Sequence, residues 1–220
     1  MANIQHIAIV GVGRMSKAIA IAFAYAGLPV QLIDAKERPV NDFALYEQQA
    51  MQDIKQELQL LVSTGFLLQA AVDEVLARIG VLSKTQAPVF LQQCDLIMEG
   101  VSEVQAAKQE MFAWLDQHIP AQCIVASTTS TFLVSEIAAM LSHPERVINA
   151  HWLNPAYLIP LVELSKSSAT AVQVVQDLQQ FLESIGKVTV VCRRDRRHRP
   201  VDSKNGRAGP INRWLRRTVR

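Results

Sequence analysis

The 220-residue sequence predicts an α/β fold: a doubly wound, mostly parallel sheet flanked by helices, with a helical hairpin inserted in its first half. Three observations predict it. Short apolar runs without polar alternation, such as Ile7-Ala8-Ile9-Val10, read as strands buried on both faces. These runs alternate with stretches of helical period, the order of successive βαβ units. The first run also breaks at a glycine turn and passes directly into a helix of small residues.

That first unit carries the strongest local signal. After the strand come Gly11-Val12-Gly13-Arg14-Met15-Ser16, and then Ala18, Ile19, Ala22, Phe23 and Ala26 at helical spacing, closed by Gly27. Gly11 permits a tight turn, and Gly13 lets a pyrophosphate approach the backbone at the positive end of the helix. Arg14 and Met15 stand at the same first turn and complete the expected cofactor-binding set. Ser16 replaces the third glycine of the GxGxxG pattern and is small enough to keep helix and strand close. A second strand over 29–33 ends in Asp34, where an acidic residue should meet the adenosine ribose. A bare strand-to-helix turn accounts for the glycines, but not for this whole order within 34 residues. A carboxylate at Asp34 pairs with two ribose hydroxyls and repels a 2′-phosphate, so NAD is expected over NADP, with Lys36 and Arg38 close behind it.

The remaining elements follow in order. A polar link leads to a long amphipathic helix over 42–62, with Phe43, Tyr46, Ala50, Ile54, Leu58 and Leu61 on one face, ended by Gly65. A second helix over 67–78 completes the hairpin, and the sheet resumes at 79–82. Further strands are expected at 96–100, 123–127, 147–151, 161–164 and 188–192, and helices at 104–118, 132–141 and 170–185.

Composition narrows the class. Half of the residues are hydrophobic, yet no apolar run reaches the roughly 18 residues that a membrane span needs. The glycine turn begins too early to leave room for a signal peptide, and a cytoplasmic protein is expected. Cys94, Cys123 and Cys192 are odd in number, widely spaced and set among apolar residues, so they read as reduced core thiols, with no metal site expected. Residues 1–192 carry 11 Lys and Arg against 18 Asp and Glu, whereas 193–220 carry 11 against 2. The chain thus divides into a domain over 1–192 and a basic tail over 193–220. The tail lacks the apolar surface to offset its own ordering, so it is expected to be disordered or translated out of frame. It has no DNA-binding motif, and a nucleic-acid partner is not expected.

The second informative stretch is His151-Trp-Leu-Asn154-Pro155-Ala-Tyr-Leu-Ile-Pro160-Leu-Val-Glu163. Asn154-Pro155 marks a turn, after which the chain must reverse for 161–164 to rejoin the sheet. A reversal centred near Tyr157 returns Glu163 alongside His151, where a carboxylate would orient the imidazole for removing a hydroxyl proton. Spacing alone is equally compatible with a His and a Glu each solvated at a strand end.

GVGRMS, EGVSEVQAAKQEMF at 99–112, ASTTST at 126–131 and HWLNPAYLIPLVE at 151–163 occur in one order. Together they resemble the NAD-binding domain of the 3-hydroxyacyl-CoA dehydrogenases, over residues 4–192. The resemblance implies a Rossmann-type domain that binds NAD and oxidises a 3-hydroxyacyl-CoA, most simply 3-hydroxybutyryl-CoA. It implies His151 as general base, Glu163 as its partner, and Ser130 and Asn154 as hydrogen-bond donors to the substrate oxygen. It places Glu103 and Lys108 near the nicotinamide, although as residues alone they read as a helix-start acid and a solvated lysine. The family has Asn-Thr-Ser-Ser where this chain has Thr128-Thr129-Ser130-Thr131; the hydroxyl at Ser130 is retained. Relatives acting on free 3-hydroxy acids such as carnitine or a sugar acid share the HxxNP…LVE stretch, and a non-catalytic nucleotide-binding remnant is the reading from another class. The family continues into a helical domain that closes the site and forms the dimer; that continuation and its dimer contact are expected to be missing here.

Overall fold

The computed structural model describes residues 4–192; the basic tail, and the expectations placed on it, lie outside the described residues. Eight strands form one sheet in the order β3-β2-β1-β4-β5-β6-β7-β8. They are β1 (Ile7–Val10), β2 (Val30–Ile33), β3 (Ile79–Leu82), β4 (Leu96–Glu99), β5 (Ile124–Ser127), β6 (Val147–Trp152), β7 (Leu161–Ser165) and β8 (Val188–Cys192). Every neighbouring pair is parallel except β6 and β7, which run antiparallel.

Helices cover both faces, as the doubly wound pattern requires. On one face α1 (Arg14–Tyr25), α2 (Val40–Ser63), α3 (Ala71–Ala77) and α7 (Val172–Ser184) bury Ile7, Ile9, Leu32, Met98, Ile148 and Ala150. On the other, α4 (Ala87–Leu91), α5 (Gln105–Asp116) and α6 (Val134–Ala138) bury Ala8, Val10, Ile97, Val125 and Val147. Because successive strand residues face opposite ways, both parities of β1, β4 and β5 must be apolar. α2 and α3 form the expected hairpin.

Two differences from the sequence reading have physical causes. The short α4 lies between the strands expected at 79–82 and 96–100, where no element is expected, since five residues are too few to show a helical period. β8 is an edge strand with Val188, Val190 and Val191 exposed, so Cys192 is half-buried rather than a core thiol, whereas Cys94 and Cys123 are buried. Trp152, next to His151 in sequence, is a packing residue on the other face, edge-on against Phe23 with ring centroids 5.8 Å apart. Alternation along β6 requires that separation of neighbours. Among the described residues no helix is long and apolar enough to cross a membrane, and no group of His, Cys, Asp and Glu has metal-binding geometry.

Candidate active site

Strand order reverses about β1, which has β2 on one side and β4 on the other, and the crevice at the strands' carboxyl ends opens there. A cleft of about 610 Å³ occupies it, lined by Gly11, Gly13, Asp34, Arg38, Tyr46 and Val101 among others. Gly11 has φ +96°, and a Cβ there would stand 2.8 Å from the Gly100 carbonyl oxygen. Both the backbone conformation and the contact with the β4 turn therefore demand glycine. Gly13 is different: a Cβ there would meet nothing closer than that same oxygen at 4.0 Å, so the space beside it is open to a ligand. Ser16 is fully buried, and a side chain at Gly100 would meet its Oγ at 2.5 Å. The hydroxyl that replaced the third glycine is thus accommodated by a glycine across from it.

Asp34 lies at the rim of this cleft with only 2% of its surface exposed. Its carboxylate accepts from the Lys36 backbone N–H at 3.1 Å and pairs with Arg38, whose guanidinium stacks 4.0 Å from the Tyr46 ring centroid. The hydrogen bond to Asp34 raises the Arg38 pKa above its ordinary value, burial opposing it. These groups fit a dinucleotide: an open backbone at a helix N-terminus for the phosphates and a carboxylate one strand away for the ribose. Arg14 lies outside this lining, and so does Met15, which packs against the core.

Past β4 the chain forms a buried polar cluster. Glu99 and Lys108 have side chains 0% and 1% exposed and pair at 2.8 Å. Glu99 also accepts from the Val101 backbone N–H at 2.8 Å and from the Ser127 hydroxyl. Lys108 is therefore not the solvated lysine that its place on a helix suggests, and it is absent from the lining of the cleft at the switch point. Its ammonium is committed to Glu99 and stands 3.9 Å from Glu103. Glu103 in turn clasps the turn after β5: Thr129 Oγ1 and Thr131 Oγ1 donate to its Oε2 at 2.7 and 2.8 Å, and the Ser130 N–H donates to Oε1 at 3.2 Å.

The antiparallel β6–β7 pair sets His151 directly opposite Glu163. His151 Nδ1 lies 3.1 Å from Glu163 Oε2, with the two side chains 19% and 17% exposed. The wide-hairpin reading of the spacing thus has its geometric counterpart. Beyond the strand, the loop carrying Asn154 has a cis Asn154-Pro155 bond, and Lys187 donates to the carbonyls of Ala156 at 2.7 Å and Ile159 at 3.1 Å. Burial pushes the Lys187 ammonium below its ordinary pKa. Asn154 lines a second cleft of about 580 Å³ with Arg14, Lys17, Glu57 and Tyr157, between α1, α2 and this loop. Tyr157 donates to Glu57 at 2.6 Å; burial first, then this bond, raises the phenol to about 12. The clefts and pairings thus gather Gly11, Gly13 and Asp34 in one group, His151 and Glu163 in a second, Ser130, Glu103 and Lys108 in a third, and Asn154 with Arg14 in a fourth.

Glu99, Asn149 and Lys187 were not singled out from the sequence. The usable signal was a polar residue inside an apolar strand, as in Leu96–Glu99 and Val147–Trp152, because buried polar groups require partners.

A glycine cradle at the switch point and a buried acid at the tip of β2 define a dinucleotide-binding domain, and the same sheet carries a His–Glu pair across β6 and β7. The family model for the 3-hydroxyacyl-CoA dehydrogenase NAD binding domain matches residues 6–196, and the chain belongs to that family. A probable 3-hydroxybutyryl-CoA dehydrogenase of Bacillus subtilis is 33% identical over 86% of this chain, which spans 62% of that relative's length. A 5-formyl-3-hydroxy-2-methylpyridine 4-carboxylate 5-dehydrogenase of Mesorhizobium japonicum is 30% identical over 87% of this chain and 58% of its own. Among solved structures, FadB2 of M. tuberculosis superposes with a TM-score of 0.79 at 30% identity, covering 88% of this chain and 65% of FadB2.

Proposed function

We propose that the chain provides the cofactor and proton-transfer half of an NAD-dependent dehydrogenase that oxidises 3-hydroxyacyl-CoA thioesters, 3-hydroxybutyryl-CoA first among them. The observation that carries this reading is the His151–Glu163 pair, fixed by register on the strand after the Ser130 turn. NAD, when bound, supplies the hydride acceptor. Gly11 and Gly13 admit its phosphates to the α1 N-terminus, and Asp34 holds its ribose.

Glu163 accepts the Nδ1–H of His151, which sets the tautomer in which Nε2 takes the substrate hydroxyl proton. As that proton arrives, the imidazole becomes cationic, and the neighbouring carboxylate stabilises the charge. The Ser130 hydroxyl and the Asn154 amide donate to the substrate oxygen as it becomes a carbonyl. Glu103 acts one step back, by holding the turn that carries Ser130.

The test is NADH formation from NAD and a panel of 3-hydroxybutyryl-CoA, free 3-hydroxybutyrate and carnitine. His151→Ala is expected to lower turnover by about 10²–10⁴-fold, the usual worth of a general base. Glu163→Gln should lower it less, and both should leave NAD affinity nearly unchanged. Full activity of His151→Ala would assign the base elsewhere. The Mesorhizobium relative, whose name specifies an aromatic carboxylate without CoA, favours a second reading in which the substrate is a free hydroxy acid. Turnover of the free acids alone would establish that reading. NAD binding without turnover of any member would leave a nucleotide-binding remnant.

A further inference from the structure

The turn that carries Ser130 is gripped at a single peptide plane. The Thr129 carbonyl accepts from Asn149 Nδ2 at 3.0 Å, and the N–H of the same peptide, on Ser130, donates to Glu103 Oε1 at 3.2 Å. The C=O and N–H of a trans peptide point in opposite directions, so the plane is stretched between β6 on one side and the segment before α5 on the other. Rotating it would turn the carbonyl towards the Glu103 carboxylate and the N–H towards an amide donor, and both contacts are repulsive. The direction in which residue 130 leaves the plane is thereby set.

Asn149 stands two residues before His151 on β6, so the two side chains leave the same face of the sheet about 7 Å apart. On β7 they are faced by Ser165 and Glu163 respectively. Asn149 is fully buried, and its Oδ1 has no hydrogen-bond partner among the described residues. An aliphatic residue would be cheaper to bury in a strand otherwise made for packing. What the amide supplies in exchange is the tie to Thr129.

We infer that Asn149 is a positioning residue for the dehydrogenase reaction: it sets the Ser130 turn against the strand that carries the base, so that hydroxyl donor and imidazole meet one substrate oxygen in fixed register. The inference rests on the reaction proposed above. It assigns Asn149 no contact with substrate or cofactor.

The experiment uses the 220-residue chain with saturating NAD and 3-hydroxybutyryl-CoA, following the rate of NADH formation, with NAD affinity measured in parallel by calorimetry. Asn149→Asp keeps the shape but replaces the donor with a second carboxylate oxygen; Asn149→Ala removes the contact outright. Ser165→Ala, a buried change in the facing strand that leaves the turn alone, is the control. The expected result is a fall in kcat of about 10- to 100-fold for both Asn149 variants, the range produced by misplacing a reacting group by an ångström or less. KM and NAD affinity should stay as they were, because His151, Glu163 and the cofactor cleft are untouched, and Ser165→Ala should retain full kcat. Unchanged kcat in both Asn149 variants overturns the inference. So does an equal loss in Ser165→Ala, or a loss of NAD binding alongside turnover, either of which makes the position one of folding alone. An unmodified chain that binds NAD but oxidises no thioester overturns the proposed reaction, and the role of Asn149 with it.

Discussion

Replacing Lys108 by Met should be among the most damaging single changes in the domain. The Glu99 carboxylate is fully enclosed and has four hydrogen bonds: two from the Lys108 ammonium at 2.8 and 3.0 Å, one from the Val101 N–H and one from the Ser127 hydroxyl. Methionine nearly preserves the volume of the lysine stem, so a cavity adds little. What remains is a buried carboxylate without its cation, and breaking a buried pair in this way costs about 3–5 kcal/mol. A domain of ordinary stability has about 5–15 kcal/mol in all, so the loss would be visible at once. The double replacement Glu99→Gln with Lys108→Met removes both charges and should recover more than half of it. Urea denaturation at pH 7 is the assay, with equal m-values required so that the midpoints compare like states. NAD affinity should fall with stability in Lys108→Met, because Glu99 holds the Val101 N–H and the turn at 100–101 lines the cofactor cleft. A cost below about 1 kcal/mol, or single effects that merely add in the double replacement, would refute the reasoning.

Three further outcomes are expected. Asp34→Ala should weaken NAD binding and narrow its advantage over NADP, whereas Arg38→Ala should widen that advantage by leaving the Asp34 carboxylate unneutralised against a 2′-phosphate; titration with both nucleotides decides. In native protein, burial pushes the Cys123 thiol up to about 12 and raises Cys94 as well, so a thiol reagent at neutral pH should modify Cys192 first and the other two only on unfolding. The hydrogen bonds from Lys17 and then Gln49 hold Asp53 below its ordinary pKa. Its stabilising contribution is therefore present above the unfolded value of about 3.8 and is lost as pH falls through the lower folded value. The stability difference between the unmodified chain and Asp53→Asn should accordingly shrink below pH 4, and a constant difference from pH 7 to pH 3 would exclude this linkage.

The sheet was legible because each strand is a short, continuous apolar run, and a central parallel strand has no polar face to confuse the pattern. The pairing of His151 with Glu163 was legible as well, since counting through a reversal near Tyr157 brings the two level. The state of Lys108 was not. On an amphipathic helix a lysine reads as solvent-facing, and only the fold shows that Glu99 reaches the same interior point from the end of β4. Arg38 was noted for its charge, but not for occupying the carboxylate that the ribose would meet. Asn149 was hidden for the opposite reason: inside Val147–Trp152 it looks like an interruption in an apolar strand, and the carbonyl it serves belongs to a turn 20 residues earlier.

The antiparallel β6–β7 pairing has a consequence for how far the loop at 153–160 can be altered. Glu163 sits between Val162 and Leu164, both fully buried on the opposite face of β7. Sliding β7 by one residue would expel both aliphatic side chains and drive a carboxylate into their place, at a cost of about 1.5–3 kcal/mol for each side chain before the charge is counted. Val162 and Leu164, which touch neither side chain of the His151–Glu163 pair from their own face, thus lock its geometry. Changes of length or sequence in the loop past Asn154 can therefore leave the imidazole and its carboxylate in step, because their facing positions are set by the strands and not by the turn that joins them.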